Sequence, residues 1–545
     1  MDVVLAEAVA DPVDRRHPDR DLCALQLDGH LRRLARHEAV CRRVLGRLAR
    51  TFLAGRYHHQ LGFARLGDYT RERLSLSARE VQELARVAER LESLPAIAAA
   101  FAAGELSWTQ TRLLATATTP DSEHKWLALA RDRTVRALEA LVAHPPADPD
   151  ERHRVHFSLR CPRRVRGRWR QAVELARRMA GSELSLAQSA EVIAAEALSA
   201  RPAPIDDRPP REPPPEPVDT PADTGWSGVD VPIPEDVEKL LQLEPGGDPF
   251  ALDERLRTAR RAMQRIDWQM GVLLRTFFDR RLHRAFGFPS ASRYVAERLG
   301  LSGRKARALV ALERGLRRAP ALATAYRDGT VSWLRALTVL PVAAGDGAWV
   351  ARAGEVTLRR LVAEVEWALD RRDAGLPAAP PPPDAALAPV QWQMRARSDE
   401  LLEADITFAA PASVVALFRG ALDAFRPAGA PLWKGCEKVL EHVCAEWEAQ
   451  PRHRDPIFAR DAWRCAVPAC TSRGNFHDHH VRYRSAGGGN SRENRITVCA
   501  WHHLRGIHLG RIRAHGTAPH AIIWEIGVRR GGPPLMRTVG ERYLP

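Results

Sequence analysis

Residues 451–515 hold eight of the chain's 20 histidines and three of its eight cysteines, and that crowding is where chemistry is to be sought. Cys465 and Cys470 are separated by four residues, and Cys499 and His502 by two. Two short Cys/His pairs joined by a longer loop have the spacing of a four-ligand tetrahedral zinc site. Thiolate and imidazole suit Zn²⁺, with Zn–S bonds near ~2.3 Å. A small loop-rich segment has little core of its own, so a structural zinc would supply much of its folding free energy. The alternative for the same residues is a set of buried thiols.

The remaining histidines divide by geometry. His479 and His480 are neighbours on an expected strand, HDHHVRY, so their side chains point to opposite faces and cannot share one job. His503 and His508 follow in an expected helix. Their spacing is one residue longer than the four-residue helical repeat, and it permits an imidazole site separate from the zinc. His508 is either part of that site or a plain surface histidine. Gly487–Gly489 allow a tight loop. Asn494 precedes the short strand ITVC, and Asn490 reads as a turn residue after the glycines. Residues 451–515 carry twelve Arg and no Lys against four acidic residues, a local positive surplus around the histidines.

The elements that must position this cluster lie in a chain of 545 residues, too long for one core, so two to four domains are expected. The net charge of +15 suits a polyanionic partner such as nucleic acid, although Arg-rich, Lys-poor composition also follows from a GC-rich genome. No apolar run is long enough to span a bilayer, and MDVVLAEAVADPVDRR is not a signal-peptide pattern, so a cytoplasmic protein without a membrane partner is expected. Cys23, Cys41, Cys161, Cys436 and Cys444 are scattered and read as buried small apolar residues.

An internal repeat fills most of the chain. GFARLGDYTRERLSLS begins at Gly62 and GFPSASRYVAERLGLS at Gly287, an offset of 225 that aligns Tyr69 with Tyr294, Glu72 with Glu297 and Leu76 with Leu301. Pro95, Gly104, Ser107 and Trp108 meet Pro320, Gly329, Ser332 and Trp333. After a two-residue slip, Trp126, Thr134 and Leu138 meet Trp349, Thr357 and Leu361. Leu84, Val87 and Leu91 fall on one helical face, as do Leu309, Leu312 and Leu316. Ser77 with Glu80 reads as a capping box, Ser302 as a cap without the box, and Ser107 and Ser332 as further N-caps before core tryptophans. Residues 155–181 and 404–429 read as corresponding strand-then-helix pieces. A Pro-rich linker covers 201–236, a Pro-rich insert lies near 378–389, and 510–516 with 521–527 reads as a terminal β-hairpin.

The order Cys–x4–Cys, His-His-Val, Gly-Gly, Asn, Cys–x2–His-His, His resembles the HNH endonuclease family, with His480, Asn494 and His503 at the name-giving positions. The two helical copies resemble the helical domain of unknown function DUF 222, often found before an HNH module in bacteria. The resemblance implies a mainly α fold: duplicated helical domains plus a small C-terminal zinc-stabilised ββα-metal module. The expected partition is an N-terminal extension (1–34), copy 1 (35–200), the linker (201–245), copy 2 (246–450) and the nuclease module (451–545). It implies His480 as general base, with Asn494 holding it in orientation through the backbone. His479 and His503, with His508 as a third candidate, would bind one catalytic divalent metal (Mg²⁺, Mn²⁺, Ni²⁺ or Zn²⁺). Asp478 is a rival ligand and Asn490 a rival for Asn494. Cys465, Cys470, Cys499 and His502 would hold the structural zinc, and Arg482, Arg484, Arg495 and Arg505 would bind phosphates. The partner implied is DNA, with RNA and a homodimer left open.

Three other readings compete: a catalytically degenerate, zinc-stabilised nucleic-acid-binding module, a regulatory scaffold built on the helical copies, and a zinc hydrolase of small molecules. The last would require a buried apolar pocket with converging polar groups, which an Arg- and Gly-rich segment does not suggest. His477 has no role in any of these readings.

Overall fold

Regular spacing of Leu, Val and Ala, interrupted by Ser, Gly and Pro, makes most of the chain helical. In the computed structural model the described residues are 20–142, 154–199, 246–343, 347–382 (without 374), 385–387, 403–450 and 455–544, with a few positions in 237–242. The Pro-rich linker 201–236 lies outside the described residues. The principal elements, in chain order, are α1 (Arg20–Ala54), α2 (Ala78–Glu92), β1 (Arg154–Pro162), α3 (Arg163–Ala180), α4 (Leu186–Ser199), α5 (Pro249–Asp279), α6 (Gly303–Leu316), β2 (Glu403–Pro411), α7 (Ala412–Ala424) and α8 (Leu432–Glu448). The C-terminal segment adds β3 (Phe476–His480), β4 (Arg495–Cys499), a π-helical turn (His502–Ile507), β5 (Ile512–Thr517), β6 (Ala521–Ile526), β7 (Met536–Val539) and β8 (Arg542–Tyr543). Further helices fill the intervals. Among the described residues no helix is long and apolar enough to cross a membrane.

The chain divides into two compact units, neither contiguous in sequence. One comprises Met1–His144, Pro217–Leu369 and Ala378–Pro380. Its described elements are helices: α1 packs on α2 and α5, and α5 packs on α6. The expected faces are inside: Leu84, Val87, Leu309, Leu312 and Leu316 are buried, and Leu91 packs at the edge of a core cluster. Ser77 Oγ accepts from the Glu80 N–H and Ser302 Oγ from the Lys305 N–H, so both helices start on a capped turn. Ser107 forms a reciprocal box with Gln110. Ser332 departs from expectation. It stands at the N-cap position but makes no side-chain cap bond, because its hydroxyl is taken by Ser75 Oγ at 2.6 Å. Trp349 is buried, whereas Trp108 and Trp333 are only partly covered; Trp333 packs at the margin of a cluster.

The other unit comprises Pro145–Glu216, Asp370–Pro377 and Pro381–Pro545. β1 and β2 pair antiparallel from Arg154↔Pro411 to Pro162↔Glu403. Phe157, Phe408, Phe418 and Trp169 meet in stacked and edge-on contacts, and α3, α4, α7 and α8 close the core around them. In the same unit β3 pairs with β4. The expected terminal hairpin is β5–β6. It extends to a four-stranded antiparallel sheet, because β7 and β8 add to β6 in order.

Candidate metal centre

The sulfur cluster is assembled by a knuckle and the end of a strand. Asp455 Oδ1 accepts from the N–H groups of Ile457 and Phe458, both at 2.9 Å, and so starts the short helix Pro456–Arg460. The chain then turns through left-handed Ala462 and Trp463 and enters the loop bearing Cys465 and Cys470. The Ser472 N–H points at Cys470 Sγ (3.4 Å), and Cys465 N–H donates to Ser472 O (3.0 Å). Ala466 N–H donates to Thr497 O at 2.7 Å, which ties the knuckle to β4, at whose end Cys499 stands. His502 opens the π-helical turn. All four residues are buried, and their ligand atoms lie within 4.8 Å of one another. His502 Nδ1 is 3.3 Å from both Cys465 Sγ and Cys499 Sγ. Metal–ligand bonds of ~2.0–2.3 Å in a tetrahedron put ligands about 3.5–4 Å apart, so the set can hold a metal ion such as zinc.

The electrostatics make a thiolate–imidazolium set, in which a metal ion would take the place of the proton on His502. Contacts from Cys465 and Cys470 push the Cys499 thiol far below its usual range, although burial opposes this. Burial would lower His502, but Cys465 and Cys499 outweigh it and raise it to about 10. The pocket therefore favours thiolate, the form a metal requires.

A second cluster shares the π-helical turn. His479 lies on β3 at 2% exposure, and ligand atoms of His479, His503 and His508 lie within 4.8 Å of one another. The Nε2 atoms of His503 and His508 are 3.2 Å apart. The five-residue spacing that looked too long for an α-helix is explained by the turn itself: His508 N–H donates to His503 O at 3.2 Å, an i→i+5 bond. A π turn brings residues five apart onto one face, so His508 joins His503. Burial, followed by the neighbouring His503 and His508, lowers His479 to about 4, which keeps its imidazole neutral. The Tyr483 ring stacks on His508 (centroids 5.7 Å) and meets His479 edge-on (5.6 Å).

His480 occupies the opposite face of β3 and is only partly covered. Its Nε2 is 3.0 Å from Asn490 Oδ1 and 3.3 Å from Arg484 Nε, and Arg484 Nη2 donates to Asn490 Oδ1 at 2.8 Å. Asn494 does not touch the His480 ring. Its Oδ1 accepts from Arg482 N–H at 2.7 Å, and its Nδ2 donates to Arg482 O (3.1 Å) and Gly489 O (2.8 Å). It thereby clamps both ends of the loop that follows β3. Gly487 has φ +79°, and a side chain at Gly488 would collide with the carbonyl of Arg482, so the loop is held too closely for anything larger.

The four arginines separate. Arg482, Arg484 and Arg505 are exposed. Arg484 has been brought to His480, and Arg482 Nε donates to Ala486 O at 2.9 Å. Arg495 is partly covered and forks onto Asp478 Oδ2, with Nε at 2.6 Å. Asp478 thus faces Arg495, and it is not among the residues whose ligand atoms cluster with His479, His503 and His508. Two side chains sit closer to the site than the sequence reading placed them: His477, given no role, and Asn490, weighed as a rival of Asn494. His477 Nδ1 lies 2.8 Å from His503 Nδ1, and Asn490, read as a turn residue, is the direct partner of His480. The first was visible in principle, since His477 and His479 stand two apart on a strand and share a face.

Residues 29–154 match the model of a domain of unknown function, DUF222. No curated protein and no solved structure is significantly similar to the chain.

Proposed function

We propose that residues 455–544 form a ββα-metal module of the HNH type, that the helical stretches are two copies of the DUF222 domain, and that the protein is a metal-dependent endonuclease acting on DNA. The observation that carries the reading is the division of labour along one strand. His479 faces inward to His503 and His508, while the next residue, His480, faces the opposite way with Asn490 and Arg484 on its ring.

A divalent cation on His479, His503 and His508 would supply positive charge against the developing charge of a phosphodiester. The chain's own side chains do the rest. His480 takes the proton from the attacking water. Asn490 and Arg484 both reach Nε2 of that ring and fix its plane. One Nε2 cannot serve both at once: bearing the hydrogen it donates to Asn490 and leaves Nδ1 as the basic nitrogen, and bare it accepts from Arg484, so the tautomer decides which partner holds the ring. Asn494 holds the backbone at Arg482, two residues beyond His480, so that the base keeps its position. His477 satisfies Nδ1 of His503 and leaves Nε2 for the cation. Arg482, Arg484 and Arg505 meet flanking phosphates. Cys465, Cys470, Cys499 and His502 hold a zinc that keeps the frame folded.

The test is cleavage of supercoiled plasmid by wild type and His480→Ala, with Mg²⁺, Mn²⁺ or Ni²⁺ added in turn and EDTA as control. Metal-dependent cutting by wild type, reduced by about 10²–10⁴ in the variant, is the expected result. Equal cutting by both removes His480 as the base. DNA binding without cutting by either favours a nucleic-acid-binding module that has lost catalysis.

A further inference from the structure

The helical stretches contribute nothing to the chemistry above, yet their matched residues make reciprocal contacts. Tyr69 OH donates to Asp253 Oδ1 at 3.1 Å, and Tyr294 OH donates to Asp28 Oδ1 at 2.9 Å. Arg73 forks onto Asp253 with Nε at 3.2 Å and Nη2 at 2.6 Å, and Arg298 forks onto Asp28 at 2.7 and 3.1 Å. Glu72 accepts the N–H of Leu358 at 2.9 Å, and Glu297 accepts that of Val135 at 2.6 Å. Asp28 with Asp253, Tyr69 with Tyr294, Arg73 with Arg298 and Glu72 with Glu297 all stand 225 apart, and Val135 with Leu358 stand at the slipped offset. Residue i of the first stretch thus meets residue j of the second, and j's counterpart meets i's counterpart, which is the signature of a twofold interface. Within the other unit the same relation recurs. Ser158 and Thr407 sit at the same place in their strands, each four residues after the first residue, and they pair with each other.

We infer that the helical surface of residues 20–142 has as its dedicated partner the matching surface of residues 249–369 of the same chain, a dimer interface closed inside one polypeptide. The surface is therefore not available to a second chain.

Three positions make the pairing selective for unlike halves. Glu38 is matched by Met263, Arg42 by Asp267, and Glu80 by Lys305. Lys305 Nζ lies 2.7 Å from both Glu38 Oε1 and Asp267 Oδ1, and Arg42 Nε also donates to Glu38. Two copies of the first stretch would set Glu80, in the place of Lys305, against a Glu38 buried to 1%. Two copies of the second would set Lys305 against Met263. The first like pairing exchanges the Lys305 contact of Glu38 for a second carboxylate, and the second leaves Lys305 with one of its two carboxylates, Asp267, so both are disfavoured against the unlike pairing.

Two serine contacts give the test. Ser75 Oγ donates to Ser332 Oγ at 2.6 Å. The matched contact is Ser107 against Gly300, where a Cβ would strike the Ser107 side chain and where Thr109 Oγ1 donates to Gly300 O at 2.6 Å. A pair of like first stretches would place Ser75 against Ser107. The full-length chain carrying Ser75→Cys and Ser332→Cys, mildly oxidised, is run on a non-reducing gel beside Ser75→Cys with Ser107→Cys and the wild type. The first double variant is expected to close a disulfide within one 60.6 kDa chain, located by peptide mapping, and the second to give no cross-linked dimer. Wild type is expected to sediment as one chain at every concentration. A cross-linked dimer from either double variant, or no bond at all in the first, would overturn the assignment. Ser and Cys are nearly isosteric, so folding is retained, and the wild-type sedimentation reads independently of either variant.

Discussion

The Nδ1 atoms of His477 and His503 lie 2.8 Å apart, while Nε2 of His503 stands 3.2 Å from Nε2 of His508. One ring is thus held at one nitrogen and offered at the other. Only one of two facing nitrogens can carry the hydrogen, and the tautomer a cation requires is the one in which His503 Nδ1–H donates to His477 and Nε2 keeps its lone pair. Outer partners of this kind are worth about 10–100-fold in metal affinity. His477→Ala is therefore expected to weaken Mn²⁺ or Ni²⁺ binding by about that factor, with the fold intact and the zinc content unchanged. Titration calorimetry on zinc-loaded protein checks it. Unchanged affinity would leave His477 a packing residue.

The sulfur cluster predicts a different kind of failure. Apparent binding free energies of ~10–16 kcal/mol for structural zinc match or exceed the ~5–15 kcal/mol stability of a whole domain. Cys470→Ser should therefore unfold the segment around β3 and β4 rather than loosen it. The helical remainder should keep its far-ultraviolet circular dichroism. Amide hydrogen exchange should rise over 455–510 and stay protected in α5. Elemental analysis should give one zinc per wild-type chain with unsaturated catalytic sites, and none in the variant.

How much of this was legible in the sequence depends on the range of the contact that decides it. The offset of 225 and the capped starts at Ser77 and Ser302 are local patterns, and the structure shows capped helices there. The Cys/His spacing identified a four-ligand cluster that the fold does bring together. The loss of Ser332 as a cap was not legible, since Ser75 lies far away in sequence and no local signal announces it. Neither was the nine-residue pairing of β1 with β2 across the Pro-rich linker. The π turn was hidden for another reason: an extra residue in a helix changes the face of every later side chain, and spacing alone was read with α-helical periodicity.

Acid should act on the helical unit through Glu38. Burial alone would raise its carboxyl, but Arg42 and Lys305 outweigh burial and hold it at about 2, from an ordinary value of 4.5. A depressed folded-state value means that the unfolded chain binds the proton first. Its contribution is therefore complete above about pH 4.5 and is lost as the pH falls towards 2. Glu38→Gln should lower stability at neutral pH by about 3 kcal/mol, because Lys305 and Arg42 keep their charge. It should also flatten the decline between pH 4.5 and 2. Denaturant melts at a series of pH values decide it, and parallel curves for the two proteins would count against Glu38.

Arg473 joins the knuckle to the helices behind it. It is fully covered, its Nε donates to Glu183 at 2.8 Å, Nη1 donates to Glu174, and its own N–H donates to Gly181 O at 3.3 Å. Gly181 and Gly474 are in close contact: a Cβ on Gly474 would come to 3.1 Å from Cα of Gly181, and Gly181 itself has φ +65°. The charges of Glu174 and Glu183 outweigh the burial that opposes ionisation of Arg473 and raise its guanidinium further. Removing the cation should leave two facing carboxylates. Both remain about a quarter exposed, at 27% and 25%, so the cost falls below the ~3–5 kcal/mol of a fully buried break and should be about 2–3 kcal/mol. Arg473→Met keeps the volume and removes the charge. Zinc content should stay at one per chain while the knuckle becomes sensitive to protease at 460–475. If zinc is lost instead, the anchor and the metal site are one cooperative structure, and Arg473 supports the ligands rather than the docking.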